Sequence, residues 1–419
     1  MKAHYLRLGR KVLGFTLLPF VSSLSPFLLL PLLARRVTAE QWAGLGVGQS
    51  VGMVGAVAVT WGWQLLGPVR IASVERHERQ ARYLDSMVTR GLVCLVLTPI
   101  LALLAGLLTP HEGRMLSVTM AAAICLSGLT PAWYFVGLGK PMGIFTWDVL
   151  PRILATVVAA VVVVTGGTAV SYPVGLGIAG LVAVVVLTVR ELRGYPVAEH
   201  LRDTRHLRSE LRRGFTPMST ELTLSLYSSG SVAFVGLRGS TQTVAEYSSA
   251  YRLFRLAMYL VTAMANGLQG WVAEREGLER GRRMVRALFA HAVIGVLGLL
   301  AMVALLPLVS TLLFGSNLSV DRLSSFYLGL TFCFASVGTS MARHVLIPEG
   351  ATNGVFYSTF IGAAVGIPLL VVFSQKWGVP GASAALLVSQ LVTISTILRR
   401  SYRVVHRLHR MAPEPVEAA

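Results

Sequence analysis

Apolar residues in this chain fall in long unbroken blocks, without the short periodic stripes of water-soluble helices and strands. Leu92–Thr109, Ile153–Ser171 and Val285–Phe314 run almost free of charge. A helix of about 20 mainly apolar residues crosses a hydrocarbon layer about 30 Å thick, and these blocks have that length or nearly so. The pattern predicts twelve such helices, over 12–34, 42–68, 87–109, 115–138, 143–166, 173–190, 215–237, 247–272, 285–314, 323–346, 354–374 and 380–398. Charged connections separate them. The longest and most charged, Glu191–Gly214, divides the chain into two sets of six. The expected fold class is an all-α polytopic membrane protein with lobes at 1–200 and 201–405 and a disordered cytoplasmic tail at 406–419.

Composition agrees with this pattern. Only 13% of the 419 residues are charged and 54% are hydrophobic. A water-soluble surface needs roughly a quarter charged, so most of this surface faces something other than water. The net charge of +18 does not point to nucleic acid, because the basic residues lie between apolar blocks and form no single patch. With the N-terminus in the cytoplasm, 27 Lys and Arg fall inside and 6 outside, the asymmetry of the positive-inside rule. Both termini are therefore expected in the cytoplasm. The basic segment Met1–Lys11 precedes an apolar stretch, as in a signal peptide. That stretch is too long and has no small-x-small cleavage pattern, so it is read as a retained first helix. Cys94, Cys125 and Cys333 fall inside spans with no paired spacing and suggest neither a disulfide nor a metal site.

The two halves carry related segments. Val37-Thr38-Ala39-Glu40-Gln41-Trp42 follows the first span, and Thr243-Val244-Ala245-Glu246-Tyr247-Ser248 follows the seventh. The second and eighth spans are followed by Arg70-Ile71-Ala72-Ser73-Val74-Glu75 and Gly270-Trp271-Val272-Ala273-Glu274. Both offsets are close to 200 residues, which suggests a duplicated six-helix unit. An even-numbered repeat keeps its topology, with a pseudo-two-fold axis along the membrane normal, and repeats of this kind bind cargo between the halves.

Three stretches resemble a known family. These are Leu28–Gly44, with Pro31, Arg35-Arg36 and Glu40-Gln41-Trp42-Ala43-Gly44; Leu129–Lys140, Leu-Thr-Pro-Ala-Trp-Tyr-Phe-Val-Gly-Leu-Gly-Lys; and Val244–Leu253, with Ala245-Glu246-Tyr247-Ser248-Ser249-Ala250-Tyr251. They are similar to the Wzx-type oligosaccharide flippases of bacterial polysaccharide biosynthesis, in the superfamily of the multidrug and toxin exporters. The chain departs from that pattern at Ala245, where Gly is usual, and at Gly139-Lys140, where an acidic residue is common. The resemblance implies a MATE-like fold around a hydrophilic cavity. The implied cargo is an oligosaccharide on polyprenyl diphosphate, moved to the outer leaflet of the bacterial inner membrane. The implied partners are membrane lipids and a polysaccharide polymerase or ligase.

Ionisable side chains at membrane depth are costly and usually line a cavity or pair with one another. A diphosphate needs cations, and Arg can fork two donors onto phosphate oxygens. The candidates are Arg252 and Arg255, three apart on one helix face, with Arg152, Arg70, Arg343 and the outer pair Arg35 and Arg36. Arg70 and Arg343 lie at helix ends, where snorkelling to headgroups competes with cargo binding. Tyr227, Asn266 and Gln269 are candidates for sugar hydroxyls, and equally for helix–helix contacts. Among the acids, Asp148 stands four residues from Arg152 and is expected to neutralise it. Glu221, without a sequence-local partner, is the candidate for a coupling proton or cation. Pro19, Pro26 and Pro31 predict a kinked first helix. Trp61, Trp63, Trp133, Tyr134 and Phe135 are read as anchors at headgroup level, and His291 and His344 as isolated. Gly175-Leu176-Gly177-Ile178-Ala179-Gly180 matches a dinucleotide fingerprint but lies within an apolar span, so close helix packing is expected and no cofactor is implied.

A multidrug exporter of the same superfamily would favour an acidic cavity for cationic drugs, whereas here candidate Arg outnumber acids. A lipid II flippase usually has fourteen helices. A membrane-embedded glycosyl transferase or ligase needs a sizeable external loop, and the external connections are about four to nine residues. The chain is therefore read as a transporter and not an enzyme.

Overall fold

The computed structural model describes residues 25–72, 74–202 and 204–410. Most of the first predicted span, with Pro19, lies outside them, as do Met1–Lys11 and the end of the tail. All assigned secondary structure among the described residues is helical. The elements are α1 (Leu30–Ala34), α2 (Ala39–Thr60), α3 (Trp63–Ala72), α4 (Arg76–Leu107), α5 (His111–Leu126), α6 (Ala132–Gly137), α7 (Leu150–Val164), α8 (Ser171–Glu191), α9 (Thr204–Gly236), α10 (Thr241–Ala273), α11 (Gly277–Phe314), α12 (Arg322–Ser340) and α13 (Thr352–Arg410). Two π-helical turns, Phe145–Val149 and Met341–Leu346, lead into α7 and follow α12.

The helices account for spans two to twelve. Spans eleven and twelve run together as α13, kinked at Gly378 (φ 60°, ψ −138°), a left-handed conformation that glycine adopts without a Cβ penalty. Span two breaks into α2 and α3 at Trp61 (φ 48°) and Gly62 (φ 73°). Helix ends differ where charge extends a helix beyond the apolar block. Thus α4 starts at Arg76 and α9 at Thr204, because helical turns in water carry no hydropathy signal. The repeat reappears in the helix starts: α2 and α10 begin about 200 residues apart, as do α4 and α11. Thr38 and Ser240 cap the first pair by accepting from the backbone N–H three residues on.

The chain divides into two compact units, Met1–Leu237 and Arg238–Ala419. By packing, α9, the seventh span, is grouped with the first unit through its contacts with α2. Ser50 Oγ donates to the Ser229 carbonyl (2.6 Å) and accepts from Ala233 N–H (3.2 Å).

In the first unit α2 meets α5 at backbone contact. A Cβ on Gly44, Gly48 or Gly52 would stand 2.3, 2.3 and 2.8 Å from the carbonyl oxygens of Gly113, Ser117 and Ala121. Small residues four apart let membrane helices approach this closely. In the second unit α11 and α12 do the same, through Gly295 against Cys333 and Gly329 against Leu299. Large apolar side chains face outward on α4 (Leu95, Ile100, Leu103) and α11 (Phe289, Leu297, Leu300), as in a protein whose solvent is lipid. Gly175 and Gly177 pack on Ala155 and Ala123, in keeping with a helix contact.

The aromatic segment departs from the headgroup-anchor expectation. Trp133, Tyr134 and Phe135 are buried in one cluster with Trp63, Tyr83 and Ile71. Trp63 and Trp133 lie 5.0 Å apart between ring centroids. The chain turns at Pro131 and folds α6 back onto α3, so these rings fill the interior of the first unit.

Candidate functional site

On α10 the helical period of 100° per residue gathers Arg252, Arg255, Tyr259, Thr262, Asn266 and Gln269 into one stripe about 100° wide. Over its 1.5 Å rise per residue, the stripe runs about 25 Å along the helix. The stacked rings of Tyr247, Tyr251 and Phe254, at centroid distances of 5.7 and 5.9 Å, are buried along one edge of the stripe, with Tyr251 in line with Gln269 by helical period. The stripe is half-buried at Arg252, Arg255, Tyr259 and Thr262, and exposed at Asn266 and Gln269. α10 is thus an amphipathic helix within a membrane fold, with two guanidinium groups, a phenol and three neutral hydrogen-bonding groups on its polar side. That set suits an anionic, hydroxyl-rich ligand: Arg for phosphate oxygens and amides for sugar hydroxyls. Arg343 Nη1 donates to Asn266 Oδ1 at the stripe's far end.

The remaining expected residues lie in the first unit and form separate groups. Arg152 and Asp148 pair at 3.0 Å, and Asp148 Oδ1 also accepts from Thr130 Oγ1 (3.0 Å). This acid neutralises its neighbour, as its spacing suggests, and both contacts fall on Oδ1. Their cleft is lined by Ser127, Trp147 and Gly180. Arg70 pairs with Glu210 and stands 5.1 Å over the Trp63 ring, tying α3 to α9. Arg36 donates to the Val163 carbonyl (2.7 Å) and lines a cleft with Gln41, Glu112 and Thr168; Arg35 beside it is exposed. On α9, Glu221 is half-buried and makes no ion pair among the described residues. Tyr227, on the same helix, is half-buried and points about a third of a turn away by helical period.

Two features escape a sequence reading. Arg90 is fully buried, donating to the Gly128 (3.1 Å) and Thr130 (2.9 Å) carbonyls with Trp133 at 5.8 Å. His291 and His344, which read as isolated, are brought to a centroid distance of 5.3 Å. Charge inside an apolar span marks both places, but not what the fold brings to them. Among the described residues no cluster of three or more His, Cys, Asp or Glu could hold a metal.

The fold is all-α and polytopic, of the MATE-like class. The computed structure matches that of a multidrug resistance MATE family transporter of the MOP superfamily in its inward-facing conformation. That match has a TM-score of 0.63 and 13% identity, and covers 98% of this chain and 99% of the other. It matches the lipid II flippase MurJ at a TM-score of 0.71 and 14% identity, over 94% of this chain and 90% of the other. At such identities the likeness is one of fold. In sequence, the chain is 21% identical to a Shigella dysenteriae protein named for O-antigen transport, over 90% of this chain and 95% of that one. The pattern of the polysaccharide biosynthesis protein family matches residues 8–268. The chain belongs to that family.

Proposed function

We propose that the protein is a flippase that moves a polyprenyl-diphosphate-linked oligosaccharide from the cytoplasmic to the outer leaflet for cell-surface polysaccharide synthesis. The observation that carries this reading is the stripe on α10, in a chain that aligns almost end to end with a relative named for O-antigen transport. Arg252 and Arg255 bind the diphosphate, and Tyr259, Asn266 and Gln269 hydrogen-bond the sugars. Arg35, Arg36, Arg70, Arg152 and Tyr227 are the first unit's own candidates for cargo contact, with Arg70 and Arg152 already held by acids. Transport proceeds by alternating access of a two-lobed carrier. The membrane is the bacterial inner membrane, with both termini cytoplasmic, and a polymerase or ligase takes up the product. Glu221 and Asp148 are the acids available for coupling, with Asp148 committed to Arg152.

The likeness to a multidrug transporter supports a drug exporter as the second reading. Charge distinguishes them, since two Arg on the polar face of a membrane helix repel organic cations and attract phosphate. Deleting the gene tests the choice in cells. The flippase reading expects loss of surface polysaccharide with lipid-linked precursor still made and retained in the inner leaflet. Normal surface polysaccharide together with new sensitivity to cationic drugs would favour the exporter.

A further inference from the structure

The second unit holds few ionisable groups at membrane depth. Between Arg286 and Phe314, α11 carries only His291. His344 lies in the π-helical turn Met341–Leu346 that follows α12. Both side chains are fully buried, with ring centroids 5.3 Å apart.

Hydrogen bonding assigns their protons. His344 Nε2 donates to the Ala265 carbonyl (3.1 Å), so its Nδ1 accepts from Ser340 Oγ (3.0 Å). Ser336 Oγ donates to the His291 carbonyl (2.7 Å), so His291 Nδ1 donates to that oxygen (3.2 Å). As neutral rings, each carries one N–H in this arrangement. His291 Nε2 is left with a buried lone pair and no hydrogen-bond partner among the described residues. A histidine that merely filled space would not leave such a group unmet, because buried polar groups are normally paired.

The surroundings isolate this acceptor. Arg343, beside His344, is the cation whose field reaches both rings. α12 contributes Cys333, against Gly295, and further along Tyr327. α10 has Tyr259 and nothing ionisable from Leu260 to Ala273. α13 presents Gln390 and Ile394 against Gly338 and has no ionisable residue between Lys376 and Arg399.

We propose that His291 and His344 form a proton-binding site that controls α10; this rests on the transporter reading above. A proton from water adds to the lone pair of His291 Nε2. One N–H bond forms, the pair gains one positive charge, and the same bond breaks when the proton leaves. Two imidazoles at this separation titrate as a unit, so the pair holds one proton. The new charge lies within the field of Arg343. Consecutive residues of the π-turn hold consecutive residues of α10: Arg343 to Asn266 and His344 to Ala265. Repulsion on Arg343 loosens that tie. The turn is also a local departure from α-helical register, of the kind that often marks functional sites. Protonation thereby biases the helix that carries Arg252, Arg255, Asn266 and Gln269.

The test uses full-length protein in lipid nanodiscs with ¹⁵N-labelled histidine, and follows imidazole resonances from neutral pH down well below the ordinary imidazole pKa of about 6.5. One titration is expected that is present in the wild type and in His200→Gln and absent in His291→Gln. Failure of any buried imidazole to titrate in the wild type, or a titration unchanged in His291→Gln, would overturn the proposal. The wild-type titration decides even where the variant does not fold. In proteoliposomes, a pH gradient should change wild-type flipping several-fold and leave His291→Gln unresponsive; an equal response in the two would also overturn it. Protein that moves no lipid-linked sugar would sink the flippase reading, while the resonance titration would still decide the proton site.

Discussion

Arg90→Leu is expected to prevent the first unit from folding stably. Its guanidinium sits at 0% exposure and bridges two carbonyls, those of Gly128 and Thr130. These belong to the break in the fourth span, where a 3-10 turn (Ser127–Leu129) ends and Thr130 leaves helical geometry (φ −46°, ψ 137°). Pro131 follows and has no N–H to offer. Leucine would leave both carbonyls buried without this donor, at about 1–3 kcal/mol each, and would remove the cation from Trp133. The sum is on the order of 4 kcal/mol, a large part of the stability of a typical domain. Lysine rescues little, because a point charge does not reproduce the fork. The expected readout is a drop in melting temperature of detergent-solubilised protein, with aggregation on size exclusion. An unchanged melting profile would show that the bridge is dispensable.

The second large effect is on transport. Arg252→Ala combined with Arg255→Ala is expected to abolish flipping while expression and melting temperature stay close to wild type. The two side chains lie half-buried on α10, beside the buried stack of Tyr247, Tyr251 and Phe254. Their loss removes two forked donors for a diphosphate, and hydrogen bonds to charged groups contribute about 1.5–3 kcal/mol each. Two such groups correspond to a reduction of roughly a hundredfold or more. Activity within a few-fold of wild type in the double variant would remove both residues from the site.

Hydropathy made the helical architecture legible. Helices stand at predicted spans two to twelve, and among the described residues eight helices are long and apolar enough to cross a membrane, with α9 and α10 not among them. Helix ends were less legible, since Arg76–Ser86 and Thr204–Gly214 are helical but charged. The grouping of α9 with the first unit depends on Ser50, a small polar residue that no hydropathy window separates from its neighbours. The Arg252–Arg255 face was legible from spacing alone, and the structure lengthens it to Gln269. The Asp148–Arg152 pair was legible for the same reason, being four residues apart on one helix. Arg90, Trp133 and the histidine pair were not, because their partners lie 38 to 70 residues away in sequence. An ionisable residue within a span signals a partner without naming it.

The measurement closest to the central claim is a reconstitution of purified protein in liposomes. One preparation carries a fluorescent polyprenyl-diphosphate oligosaccharide and another a cationic dye, with leaflet exposure or dye loss followed over time. The account predicts that the lipid-linked sugar crosses rapidly, that the dye does not, and that Arg252→Ala/Arg255→Ala liposomes stay at the protein-free rate. Movement of the dye with the lipid-linked sugar left in place would contradict it.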